Sequence, residues 1–119
     1  MSIKFHYDYE DDVLSVYTDI VPSETIEFTD FMNIDINKEK GIVGIEIFDV
    51  LGFLGKQNKE LTKKFLINLK NVSAKYDDWR NTWFITLELT DNNNHTITQK
   101  LPPLKKSEYV SPLIASLQE

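Results

Sequence analysis

Four carboxylates crowd into five residues near the N-terminus: Asp8, Glu10, Asp11 and Asp12. Several oxygen donors in a short loop are what hard cations such as calcium or magnesium take as ligands, and paired carboxylates can share general acid–base work. Glu46 and Asp49 are the acids placed to join them. The spacing is not that of a dedicated calcium loop. Counting from Asp8, the first, third and fifth positions are acidic (Asp8, Glu10, Asp12), but the sixth, which should be glycine, is Val13. The twelfth is Asp19, shorter than the required glutamate. The plainer account is a hairpin turn in which Asp8 satisfies backbone donors. Glu46 stands between Ile45 and Ile47 in an apolar strand, where an unpaired carboxylate costs several kcal/mol. It therefore faces solvent or has a partner such as Lys4, His6 or Tyr7, and it is expected to contact the first hairpin and fix strand register.

Other chemistries find less in the sequence. His6 and His95 are the only histidines and there is no cysteine, so a zinc site would need both histidines and carboxylates, which no local spacing supports. None of the serines sits in a glycine-flanked nucleophile elbow. Gly41 and Gly44 make no phosphate loop, because no lysine follows in register. Tyr76, Trp79, Trp83 and Phe84, with Lys75 and Arg80, could form a platform for single-stranded nucleic acid. Asp77 and Asp78 interrupt it, and aromatics on neighbouring strands usually fill a core.

These residues must be positioned mainly by strands. Ile3, Phe5 and Tyr7 alternate with Lys4, His6 and Asp8, the two-residue period of a half-buried strand. The acidic turn then leads into a β-branched and aromatic strand from Val13 to Thr18, at hairpin spacing. Short strands are expected at 25–28 and 31–36, then a polar turn ending at Gly41, the natural site for positive φ. Ile42 to Phe48 is apolar at nearly every position and reads as a central strand covered on both faces. After Leu51, Gly52 and Gly55 break the sheet, and Leu61, Phe65, Leu66 and Leu69 recur at helical offsets. This predicts one main amphipathic helix over about 59–70, capped by Thr62 or Asn58, with Lys59, Lys63, Lys64 and Lys70 mostly off its apolar stripe. Strands follow at 72–76, 83–89 and 95–101, the last two joined by a hairpin loop at Asp91, Asn92, Asn93 and Asn94. Ser111 and Pro112 then open a short C-terminal helix bearing Leu113, Ile114 and Leu117.

The chain thus reads as a single α+β domain over residues 1–119, mainly antiparallel sheet with about eight short strands. A domain of 119 residues is near the modal size. Apolar residues make up 41% and charged residues 27%, enough for a packed core and a solvated surface. The absence of cysteine excludes disulfide frameworks and thiolate chemistry. No apolar run approaches the roughly 20 residues a membrane helix needs, and no signal-peptide pattern follows Lys4, so a cytoplasmic protein without a membrane partner is expected. The net charge of −6 repels phosphate backbones, so nucleic acid is not an expected partner. That charge is unevenly placed. Residues 1–55 carry three lysines against twelve acids, a balance of −9, and residues 56–119 carry ten basic residues against seven acids, or +3.

Two motifs carry a resemblance. Tyr7, Asp8, Glu10, Asp12 and Leu14 read Y-D-x-E-x-D-x-L, and Gly41 to Asp49 reads GIVGIEIFD. Together, in this order, they resemble the family of small prokaryotic proteins catalogued as domain of unknown function 2283, over roughly residues 2–50. The sequence departs from the family's usual pattern at Tyr9, Asp11 and Val13 and continues well beyond the short members. The resemblance implies a small β-rich domain and no established activity. Some members are encoded beside small toxin-like proteins, so it also implies an antitoxin-like binding role. The expected function is a non-catalytic interaction module, as a homodimer or small homo-oligomer with scope for a further protein partner, needing no cofactor. Exposed strand edges and the two oppositely charged halves favour that pairing. The competing expectation is a small-ligand or divalent-metal-dependent enzyme using Tyr7, Asp8, Glu10, Asp12, Glu46 and Asp49.

Overall fold

The computed structural model describes residues 3–105, apart from the side chains of Tyr76, Asp78, Leu104 and Lys105. The helix expected at 111–117 lies outside the described residues. Alternating apolar positions in the first half produce five strands: β1 (Lys4–Asp8), β2 (Val13–Tyr17), β3 (Glu24–Thr29), β4 (Met32–Asn37) and β5 (Gly41–Phe48). They form one antiparallel sheet in the order β1-β2-β5-β4-β3, so β5 is central as its composition suggests. Leu14, Val16, Met32, Ile34, Ile36, Ile45 and Ile47 point to its inner face and are buried. Its outer face carries a row of polar residues in register across all five strands: His6, Ser15, Glu46, Asn33 and Glu27. Coverage of β5 is therefore one-sided. Gly41 takes φ 84°, and Asn37 accepts the Glu39 and Lys40 N–H groups at 2.9 and 3.0 Å, closing the expected turn.

The second sheet contains β6 (Leu69–Trp79), β7 (Thr82–Asp91) and β8 (Thr96–Lys100), with the two-residue β9 (Leu104–Lys105) also paired to β7. Val72, Trp83, Ile85, Leu87, Leu89 and Ile97 turn inward and join the residues of the first sheet in one core. β6 and β7 run longer than their apolar stretches indicate, because Arg80 and Asn81 both adopt positive φ (50° and 63°) and close a two-residue hairpin between Trp79 and Thr82. Asp91 organises the next loop as expected, accepting the Asn93 and His95 N–H groups at 3.0 and 2.9 Å while Asn94 takes φ 62°.

The helical region differs from expectation. In place of one helix over 59–70 there is only the five-residue α2 (Lys63–Ile67), and a further short helix, α1 (Val50–Phe53), forms earlier, where none was expected. Thr62 is the cap of α2, its hydroxyl accepting the Phe65 N–H at 3.2 Å, while Asn58 spends its side chain on a turn with Glu60. Asn68 ends α2 after five residues by donating its side-chain N–H to the Lys64 carbonyl at 2.8 Å. Leu69 then enters β6. Leu61, Phe65 and Leu66 are buried as expected, but only Phe65 and Leu66 lie in α2, so the helical offsets mark buried side chains beyond the helix itself.

Candidate functional site

The acidic turn is a clasp between the first hairpin and α1. Asp8 accepts the backbone N–H groups of Glu10 and Asp11 at 3.0 and 3.2 Å, the self-bonded geometry that makes aspartate a turn residue. Asp12, in the left-handed region at φ 56°, presents both of its carboxylate oxygens inward. One accepts the Tyr7 hydroxyl at 2.6 Å and the other accepts the Leu51 N–H at 3.0 Å. Its main-chain carbonyl accepts the Val50 N–H at 3.2 Å. Two donors at the start of α1 are thus satisfied by a residue almost forty positions earlier, which matters because the local cap position, Asp49, makes no side-chain cap bond. Asp49 instead lies in the left-handed region (φ 49°) with its carboxylate over Gly52, where a Cβ would come within 2.4 Å of it. Phe31 stacks on Phe53 at 5.2 Å, tying the β3–β4 turn to the same helix.

The site's electrostatics follow from this packing. Partial burial, then the hydrogen bond to Asp12, then the charges of Asp12 and Asp8 hold the Tyr7 hydroxyl protonated far above the usual phenol range. A tyrosine so held donates a hydrogen bond and does not serve as a base near neutrality.

Of the six sequence-predicted residues, the fold brings Tyr7, Asp8 and Asp12 together and sets Asp49 next to them at the start of α1. Glu10 is exposed. Glu46 is elsewhere: it projects from the outer face of β5 between Ser15 and Asn33, while Tyr7 projects to the inner side of β1. Of the two alternatives for Glu46, the structure takes the solvent-facing one. It touches the first hairpin only as the cross-strand neighbour of Ser15, and its carboxylate forms no ion pair with Lys4, His6 or Tyr7 among the described residues. Lys4 pairs instead with Asp19 at 2.6 Å, which raises its pKa. Glu46 borders a shallow depression of about 360 Å³, walled also by Tyr17, Ile20, Pro22 and Asp35. Gly44, which pairs with Tyr17 and Asp35, lies beside it, and a Cβ there would come 2.9 Å from the Asp35 carboxylate and displace it. No group of three or more His, Asp or Glu residues is arranged to hold a metal ion among the described residues.

The remaining candidates separate. His6 is exposed on the polar face of β1. His95 lies before β8, 3.4 Å from the Glu60 carboxylate and edge-on to Phe65. Trp83 fills the core at 2% exposure, but Trp79 (58%) and Phe84 (42%) face outward, with the Arg80 guanidinium 4.4 Å over the Trp79 ring. The helix cap by Asp12 and the buried Gln99, which donates to Gln57 at 3.2 Å, escape sequence reasoning because both join distant segments.

Residues 4–50 match the family described as protein of unknown function (DUF2283). The resemblance carried by the two motifs therefore holds over that stretch, which begins at β1 and ends at Val50, the residue bonded to Asp12. Neither the curated proteins nor the solved structures contain a significant match to this chain.

Proposed function

We propose that this is a non-catalytic interaction module of the prokaryotic cytoplasm that pairs with a second copy of itself, leaving room for a further, antitoxin-like protein partner. The observation that carries the reading is where the charge divides. Residues 1–55, with their balance of −9, hold β1–β5 and α1, and the described basic residues after them lie in the segment leading to α2, in α2 and in the second sheet with its hairpin turn. Lys56, Lys59, Lys63, Lys64 and Lys70 are all exposed. A two-fold arrangement sets the acidic sheet of each copy against the lysine-bearing side of the other, satisfying both patches twice. Among the described residues β3 and the eleven-residue β6 are edge strands, which adds a second means of contact. The engagement of Asp8 and Asp12 in turn and helix-start bonds favours binding over catalysis at the acidic turn. Light scattering across protein concentration and salt tests the proposal. A dimer at low salt that dissociates as salt screens the two faces is expected. A monomer at every concentration and salt would remove it.

A further inference from the structure

Glu46 stands beside a gap in the outer face of the first sheet. Tyr17, Gly44 and Asp35 share one row of that face, so the missing side chain of Gly44 leaves a hollow between the other two, with Glu46 two residues further along β5. The loop after β2 closes one side through Ile20 and Pro22, and the space measures about 360 Å³. Its charge is of one sign. Asp35 accepts the Thr25 hydroxyl through one carboxylate oxygen at 2.5 Å, and its other oxygen leans over Gly44. The Glu46 carboxylate forms no ion pair among the described residues. No lysine, arginine or histidine lines the hollow, and Lys4, in the same row, is held by Asp19 at 2.6 Å. Two half-buried carboxylates beside the aromatic wall of Tyr17 suit an ammonium group. Apolar surface adjoins them, since Tyr17 is 41% exposed and Val21, between Ile20 and Pro22, is 77% exposed.

The other half of the chain carries the matching surface. α2 buries Phe65 and Leu66 and turns Lys63, Lys64 and Ile67 outward, the last 53% exposed. Residues three and four apart on a helix are neighbours, so both lysines flank Ile67. Neither lysine forms an ion pair among the described residues. The hollow thus offers two acids beside apolar surface, and α2 offers two ammonium groups beside an apolar side chain. Within one copy the two surfaces do not meet. From this match of charge and apolar surface we propose that α2 of a second copy seats on the hollow, an ammonium of its Lys63–Lys64 pair entering between Asp35 and Glu46 and its Ile67 covering Tyr17 and Val21. The inference rests on the self-association proposed above and names the residues that make it.

Sedimentation of the full chain at low salt, parent against charge variants, tests it. Glu46→Lys is expected to weaken association by about tenfold, as reversing one member of a close charge pair does. Glu10→Lys, the same change in the same acidic half but off the hollow, should do little. Glu46→Lys combined with Lys63→Glu and Lys64→Glu should associate more tightly than either set of changes alone, because the exchanged charges attract again. In the parent protein, a carbodiimide, which joins touching carboxylates and amines, should link a peptide holding Asp35 or Glu46 to one holding Lys63 or Lys64, between isotope-labelled and unlabelled copies. Association no weaker in Glu46→Lys than in Glu10→Lys, no recovery in the combined variant, or links between copies that lack this pair would each overturn the docking of α2 and leave self-association standing. A parent protein that stays monomeric at every concentration would remove both.

Discussion

Asp12 makes three contacts with one residue's polar atoms, and no other acid of the turn does as much. Removing its carboxylate leaves the Tyr7 hydroxyl and the Leu51 N–H without their acceptor in a partly buried place. Asp12→Ala is expected to cost about 2 kcal/mol of unfolding free energy, read by urea denaturation. Glu10→Ala and Glu46→Gln, which take away a solvated acid, should stay within about 0.5 kcal/mol. Equal losses at all three positions would refute the clasp. Tyr7 adds a pH signature. Its folded pKa lies above the unfolded value of about 10, so the stabilisation is whole below that pH and drains away as pH rises beyond it. Tyr7→Phe should therefore flatten the alkaline fall in stability relative to the parent protein, measured as melting temperature between pH 8 and 11.

Among the elements, α1 is the one most dependent on its surroundings. A four-residue helix does not persist by propensity, and this one is held by Asp12 at its start and by close backbone contact at its end. A Cβ on Gly55 would lie 2.3 Å from the Leu51 carbonyl oxygen, whereas one on Gly52 would meet the Asp49 carboxylate, which can swing away. Gly55→Ala should thus cost about 2–3 kcal/mol and Gly52→Ala clearly less, by thermal or chemical denaturation. The reverse order would show that α1 is set by Asp49. This element also marks where the sequence stops being readable. Alternation along β1 and β4 is a local record of which side faces the core and places those strands within a residue or two. β5, apolar at nearly every position, shows its central place but not which single face is covered. The start of α1 is written at Asp12, on another hairpin, and no nearby residue announces it. The length of α2 likewise depends on Asn68 turning back to Lys64 and on Leu69 being taken by β6. Tyr7, Asp8 and Asp12 could be singled out by type and spacing. That Asp12 caps a helix could not, because its partners Val50 and Leu51 are almost forty residues away.

At the scale of the molecule, the boundary between the sheets is also a boundary in charge. If pairing depends on it, Lys63→Glu combined with Lys64→Glu should weaken association about tenfold at low salt, seen by analytical ultracentrifugation, with little effect on folding. Both positions lie in the first turn of α2, where an acid is favoured by the helix dipole. Unchanged association would place the contact elsewhere. The shared core has a different implication for the family stretch. Residues 4–50 supply a complete five-stranded sheet and the residue that latches onto Asp12, yet Leu14, Ile34, Ile45 and Ile47 reach nearly full burial in a core completed by Leu87, Leu89 and Ile97 of the other sheet. A chain that stopped at residue 54 would keep every hydrogen bond of the first sheet and lose the roof over it. In this protein the later strands supply that roof from the same chain, so the first sheet's burial depends on residues more than thirty positions beyond the family stretch.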